Sequence, residues 1–373
     1  MMYLDYNATS PLRPSVKAAM EALGDAPLNP SSVHAAGRAA KKQLEDARAL
    51  IAQALGAFPN EVLFTGSASE ANTMVLRGFA DRALLISAVE HASISRTGAL
   101  LGAATIPVDS DGIVKLDVLE RQLEALGRPA LVSVMLANNE TGVIQPIAEI
   151  ARLVHAHGGL LHVDAVQALG KISVDWGLLG ADMLTIGAHK AGGPLGVGAL
   201  LIRNDLAIKS LITGGGQELG RRAGTENIPA IVGFAQLVQE VAHFPEAASW
   251  LAWRTWLEKE LIAAAPEAII CGEGAARLPN TLTITMPQVQ SETQVMNFDL
   301  AGFAVSAGSA CSSGRVTASS VLLAMGVPPE IATTAIRISW GWATTRAQIE
   351  AFVKEWKAIY LRVTRKAAET NGL

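Results

Sequence analysis

The first two thirds of the chain alternate between short, continuous apolar runs and stretches of helical spacing, and this alternation restricts the fold more than any other feature. The runs are Val62-Leu63-Phe64-Thr65, Leu84-Leu85-Ile86, Leu131 to Leu136, Leu160 to Val163, Met183 to Ile186 and Val197 to Ile202. Runs of this kind, without the in–out alternation of a half-exposed strand, read as strands buried on both faces of a mostly parallel sheet. Between them, Ala36, Ala40, Leu44, Ala47, Ile51 and Leu55 follow a helical spacing that Gly56 is placed to end, and Lys115 to Leu126 and Ile147 to His157 read as connecting helices. The expected class is α/β. After about residue 245 the pattern changes to a Trp-rich helical stretch (Trp250, Trp253, Trp256), the run Leu282-Thr283-Ile284-Thr285, Gly/Ser-rich segments and an amphipathic helix from Gln348 to about Arg362. This part reads as a second, smaller α+β body.

The chain has 373 residues, enough for two domains or one large α/β unit at about 150 residues per domain. Half of the residues are hydrophobic and only 17% charged, which supplies a large core and excludes global disorder. Thirty basic against 34 acidic residues leave a net charge of −4, which argues against a nucleic acid or an acidic membrane as partner. Two cysteines, Cys271 and Cys311, cannot make a disulfide framework and show no zinc spacing. No stretch reaches the ~18 apolar residues of a membrane span. The segment Met1-Met2-Tyr3-Leu4-Asp5-Tyr6 has neither a basic nor an apolar region, so no signal peptide is expected. The expected setting is the cytoplasm, a reducing compartment.

An open parallel sheet binds ligands outside the carboxyl ends of its strands. Gly66-Ser67-Ala68-Ser69-Glu70 follows the first run, and small residues opening a helix form a cup for an anion. Later runs are followed by Glu90-His91, by Asn138-Asn139-Glu140, by Asp164 with Gln167, and by His189-Lys190. Polar side chains gathered at buried strand ends must be satisfied by something. A lysine amine, a carboxylate to pair with a pyridinium nitrogen, a histidine and a phosphate cup together describe a pyridoxal 5'-phosphate site. No GxGxxG follows the first strand and no GxxxxGK[ST] is present. No metal site is expected: His155 and His157 are two apart and do not face each other on a helix, so with His162 they make no ligand set.

On these residues the sequence resembles a cysteine desulfurase of the class V aminotransferase superfamily, fold type I, over nearly the whole chain. The resemblance is carried by Tyr3-Leu4-Asp5-Tyr6-Asn7-Ala8-Thr9, Asn29-Pro30-Ser31-Ser32-Val33-His34, Ala137-Asn138-Asn139-Glu140-Thr141-Gly142 and His162-Val163-Asp164-Ala165-Val166-Gln167. Ala188-His189-Lys190, Gly214-Gly215-Gly216-Gln217-Glu218, Arg222-Ala223-Gly224-Thr225-Glu226-Asn227 and Gly308-Ser309-Ala310-Cys311-Ser312-Ser313-Gly314 complete it. It implies a large cofactor domain, residues 14–250, with a mostly parallel seven-stranded sheet flanked by helices. A smaller α+β domain from residues 1–13 and 251–373 would carry the catalytic cysteine loop.

The same resemblance implies roles residue by residue. Lys190 would hold pyridoxal 5'-phosphate through its amine, Asp164 would pair with the ring nitrogen, and Gln167 would bond the ring hydroxyl with Asn139 nearby. His91 would stack on the ring and act as acid and base. Ser69, the Ala68 backbone and His189 would hold the phosphate, and Thr225 would reach the phosphate in the partner subunit of a homodimer. Arg337 would clamp the substrate carboxylate, with Asn7 in the same pocket. Cys311 sits among residues that favour an exposed loop, where a thiol can become a thiolate nucleophile. It would take sulfur from L-cysteine as a persulfide and pass it to an acceptor protein, an iron–sulfur scaffold or a sulfur relay, leaving L-alanine. Cys271 has no such context. The same cofactor would also serve another aminotransferase, a C–S or C–Se lyase, or a poor catalyst acting as a scaffold; an aminotransferase has no use for a mobile thiol. Two departures from the family pattern stand out: Gly187 where relatives have Ser, and Arg315-Val316-Thr317-Ala318-Ser319 after the cysteine loop.

Overall fold

The computed structural model describes residues 1–242, 247–307 and 318–371. Seven apolar strands form one sheet: β1 (Val62–Thr65), β2 (Ala83–Ser87), β3 (Ala104–Ile106), β4 (Ala130–Met135), β5 (Leu160–Asp164), β6 (Met183–Gly187) and β7 (Gly198–Ile202), in the order β1-β7-β6-β5-β4-β2-β3. Every residue of β1, β2, β4, β6 and β7 is buried, as strands covered on both faces require. Their side chains alternate between two cores. On β7, Ala199 and Leu201 enter one core, and Leu200 and Ile202 enter the other.

The pairs from β3 through β6 are parallel, but β7 runs antiparallel to both β6 and β1. The run at Val197–Ile202 reads like its neighbours, yet only residues 188–197 separate it from β6. A parallel return needs a crossover of roughly a dozen residues or more, usually with a helix. The chain therefore turns back beside β6 and delivers Gly198 to the start of the sheet's first helix.

One face of the sheet is covered by helix α1 (Ala35–Leu55) and by the helices Ile147–Ala156 and Ile228–Val241. Gly56, in the left-handed region at φ +71°, ends α1 as its position suggests. The other face packs on α2 (Ala68–Gly78) and α3 (Ala92–Leu100) through Met74, Val75 and Ile94.

A separate core gathers Leu4, Trp250, Leu257, Leu282, Phe298, Trp340, Phe352 and Trp356. Its sheet is antiparallel, in the order Ser306–Ala307, Ala335–Ser339, Thr281–Thr285, and the short strand Met2–Tyr3 pairs with Phe303–Ala304. The first residues of the chain thus join its last third. The closing helix runs Arg346–Asn371, beyond the expected end near Arg362, because no Gly or Pro interrupts good helix formers until Gly372.

Candidate active site

Five strand ends, those of β1, β2, β4, β5 and β6, open on one cavity of about 850 Å³. After β1, Ser67 caps α2 by accepting the Glu70 N–H at 3.2 Å. The Glu70 carboxylate also takes the Gly66 N–H at 2.8 Å and the Arg222 guanidinium at 2.8 Å. A Cβ on Gly198 would lie 2.8 Å from the Ala68 nitrogen, so glycine there lets β7 meet the start of the helix. The Ala68 and Ser69 N–H groups and the Ser69 hydroxyl line the cavity without a bond to other described residues. A helix N-terminus with free donors suits an anion. A Cβ on Gly187 would meet Ala68 and Val166 only at 3.6 Å, so the position has room for a serine.

Asp164 ends β5, 5% exposed. Its Oδ2 accepts from Asn72 Nδ2 at 2.8 Å and its Oδ1 from the Val166 N–H at 3.0 Å. Burial pushes its carboxyl upward, against those two bonds and the nearby His91 and Lys190. Asn72 also donates to Ser93 Oγ at 2.9 Å, and Ser93 in turn holds His91 Nδ1 at 2.9 Å. The Ser93 N–H donates to the same nitrogen, so the neutral ring carries its proton on Nε2. Burial lowers the His91 pKa and favours that neutral form. Glu90 is buried, lines the same cavity, and accepts the Met135 N–H on Oε1 at 2.7 Å. Burial, and then Asp164, push its pKa well above the usual carboxyl range.

Lys190 follows β6. Its Nζ donates to the carbonyls of Asn7 at 2.9 Å and Ala8 at 2.7 Å. Burial, and then Arg337, bring its pKa down to about 8. His189 meets Thr9 Oγ1 at 3.2 Å, and burial followed by Lys190 brings it to about 4. Gln167 donates to the Asn7 carbonyl at 2.9 Å. Arg337 Nη2 pairs with Asp5 Oδ1 at 2.6 Å and Nη1 donates to the Asn139 carbonyl at 3.0 Å. Its Nε is buried without a partner among the described residues. Glu140 also lines the cavity, bonded to Ser319, and burial pushes its carboxyl up to about 7.

Lys190, Asp164, Gln167, Asn139, Ala68, Ser69, His91, His189, Arg337 and Asn7 thus converge on one wall system. Asn7 differs in kind from the rest. Its amide is wholly engaged, by Asn139, Thr281 and Lys171, so it braces the pocket from within the protein. Thr225 is exposed and does not line this cavity. Cys311 lies outside the described residues. His155 pairs instead with Asp182 at 2.8 Å. Sequence reasoning overlooked Asn72, Ser93, Asp5 and Lys171. Asn72 and Ser93 have a signal, since each lies within the first two turns of a helix that follows a strand end of this site.

The family model described as aminotransferase class-V matches residues 2–352. The chain belongs to the class-V aminotransferases. Within that family it is similar to a cysteine desulfurase of Cereibacter sphaeroides, 40% identical over 368 residues, covering 95% of this chain and 94% of the relative. Among solved structures, a NifS-like protein from Rickettsia africae superposes with a TM-score of 0.90 at 38% identity, covering 96% of this chain and 99% of the other. A protein called SspA, solved in complex with cysteine, has a TM-score of 0.78 at 32% identity, with coverage of 91% and 98%. The α/β class and the sheet flanked by helices are those of this family. Among the described residues no helix is long and apolar enough to cross a membrane.

Proposed function

We propose that this protein is a pyridoxal 5'-phosphate-dependent cysteine desulfurase that moves the sulfur of L-cysteine onto Cys311 and releases L-alanine. The observation that supports this reading best is the placement of Lys190, Asp164 and Arg337 on one cavity beside the free N–H groups of Ala68 and Ser69.

These residues fit the cofactor. The Ala68–Ser69 cup and His189 suit its phosphate, Gln167 and Asn139 its ring hydroxyl, and Lys190 its aldehyde carbon. Asp164, held in place by Asn72, suits the ring nitrogen. When bound, the group supplies an electron-accepting ring that stabilises negative charge at the substrate α-carbon. Arg337 binds the substrate carboxylate, for which a planar guanidinium is the matching donor. Lys190, with its pKa lowered to about 8, takes the α proton as a neutral amine. His91 presents Nε2 for proton movement while Ser93 anchors Nδ1. The Cys311 thiolate attacks the substrate sulfur. The S–S bond forms, the C–S bond breaks, the carbon keeps the bonding pair and takes a proton, and alanine leaves.

Cys311 then passes sulfur to an acceptor protein, an iron–sulfur scaffold or a relay. That step needs a free thiol, as in the reducing cytoplasm. Thr225, exposed and away from its own cavity, serves the phosphate of a second subunit, so the working unit is a homodimer. The test is to incubate the cofactor-loaded protein with L-cysteine and measure alanine together with the visible absorption band of the bound cofactor. Alanine at one equivalent per sulfur transferred supports the reading. A protein that binds the cofactor but makes no alanine from cysteine overturns it.

A further inference from the structure

Lys171 is a buried amine for which the proposed reaction has no use. It is 3% exposed. Buried lysines are ordinarily paired with a carboxylate, but this one is bonded to two amide oxygens. Its Nζ donates to Asn7 Oδ1 at 2.6 Å and to Gln167 Oε1. The charges acting on it are cationic, Lys190 and Arg337, and with burial as the main cause they hold its pKa well below the usual range. A neutral amine still carries two N–H donors, one for each oxygen.

Those two bonds fix the orientation of both amides. Because Oδ1 of Asn7 faces Lys171, its Nδ2 faces the Asn139 carbonyl at 3.1 Å and Thr281 Oγ1 at 3.0 Å. Because Oε1 of Gln167 faces Lys171, its Nε2 meets the Asn7 carbonyl and keeps a second N–H for the cavity that Gln167 lines. The same Asn7 carbonyl receives Lys190 Nζ at 2.9 Å. Two lysines therefore rest on one asparagine, Lys190 on its backbone oxygen and Lys171 on its side-chain oxygen.

We propose that Lys171 is a positioning residue that clamps the amide oxygens of Asn7 and Gln167, and so holds the amino-terminal segment and the Gln167 donor in place for the cofactor on Lys190. This rests on the reading of the site as a pyridoxal phosphate site. Without Lys171, two buried acceptors are unpaired, and both amides are free to turn or to admit water.

The test is a double-mutant cycle on cofactor loss, followed by the decay of the visible band after transfer to cofactor-free buffer. Lys171→Met is expected to speed loss roughly tenfold or more, since two buried acceptors lose their donor. In a Gln167→Ala background, where one partner is already gone, Lys171→Met is expected to add less than about threefold, since coupled sites are not additive. Lys171→Gln, which keeps an amide donor, restores part of the retention and replaces Lys171→Met if that variant does not fold. Retention unchanged in both Lys171 variants, or single effects that multiply in full, overturns the proposal. A wild-type protein that takes up no cofactor is a different result, and it overturns the reading of the site itself.

Discussion

Arg337, which lines the cavity, forms an ion pair with Asp5 at 2.6 Å, with Arg337 8% and Asp5 19% exposed at the side chain. The guanidinium is thereby aimed before any substrate arrives, and its Nε remains without a partner. Lysine has no fork to span Asp5, the Asn139 carbonyl and a substrate carboxylate together. Arg337→Lys should raise the KM for cysteine roughly 10- to 100-fold, the worth of one or two charge-assisted bonds. The visible cofactor band should be retained. Steady-state kinetics beside absorption spectra check this, and a loss of kcat with KM unchanged would assign Arg337 another task.

In the proposed reaction, Lys190 sets the pH dependence of cofactor uptake. Only the neutral amine attacks an aldehyde, and the Lys190 pKa is brought down to about 8 by burial and then by Arg337. Below that value, the rate at which cofactor-free protein takes up pyridoxal phosphate should rise roughly tenfold per pH unit and then level off. Removing the neighbouring cation with Arg337→Met should move the midpoint upward, toward that of an ordinary lysine. Stopped-flow absorbance across pH reads both, and a midpoint that stays put would show that Arg337 does not act on Lys190.

Arg48 grips Glu218 with two bonds of 2.8 Å, and Glu218 also accepts the Phe64 N–H at 2.9 Å. Glu218 and Leu219 sit at φ +48° and +58°, left-handed positions that non-glycine residues rarely adopt. The buried ion pair holds this turn, which leads to Thr225. Arg48→Met should destabilise the fold by about 3–5 kcal/mol through the stranded charge, and Arg48→Met with Glu218→Leu by less. Urea midpoints decide it, and a double variant no better than the single one would show that the pair stabilises beyond its own desolvation.

Gly187 has room for a serine and adjoins Ala68 in the anion cup. A hydroxyl there adds a donor to a charged acceptor, worth about 1.5–3 kcal/mol. Gly187→Ser should slow cofactor loss roughly tenfold or more. Equal retention in the variant and the parent would remove the role of that donor.

Much of the site could be read in the chain because it follows the sheet. Strand ends are visible as the residues after apolar runs, and His91, Asp164 and Lys190 each lie there. The antiparallel course of β7 was not visible, since its composition equals that of its parallel neighbours and only the short 188–197 connection tells them apart. Nor were the roles of Asn7, Lys171 and Asp5. Each depends on the amino-terminal segment crossing to residues more than 160 positions away, as in the Lys171–Asn7 and Arg337–Asp5 contacts. No local periodicity encodes such a crossing. Lys171 in particular sits between Gly170 and Ile172 with nothing in the sequence to separate a buried amine from a solvated one.

The most direct measurement follows sulfur and carbon together. Cofactor-loaded protein and its Cys311→Ser variant are each given L-cysteine, and alanine and protein-bound persulfide are quantified by mass spectrometry. The wild-type protein should form alanine and a persulfide on Cys311 in equal amounts in a single turnover. The variant should keep its cofactor band and form neither. A variant that still delivers sulfur to an acceptor protein at the wild-type rate would contradict the role given to Cys311, and with it the proposed mechanism.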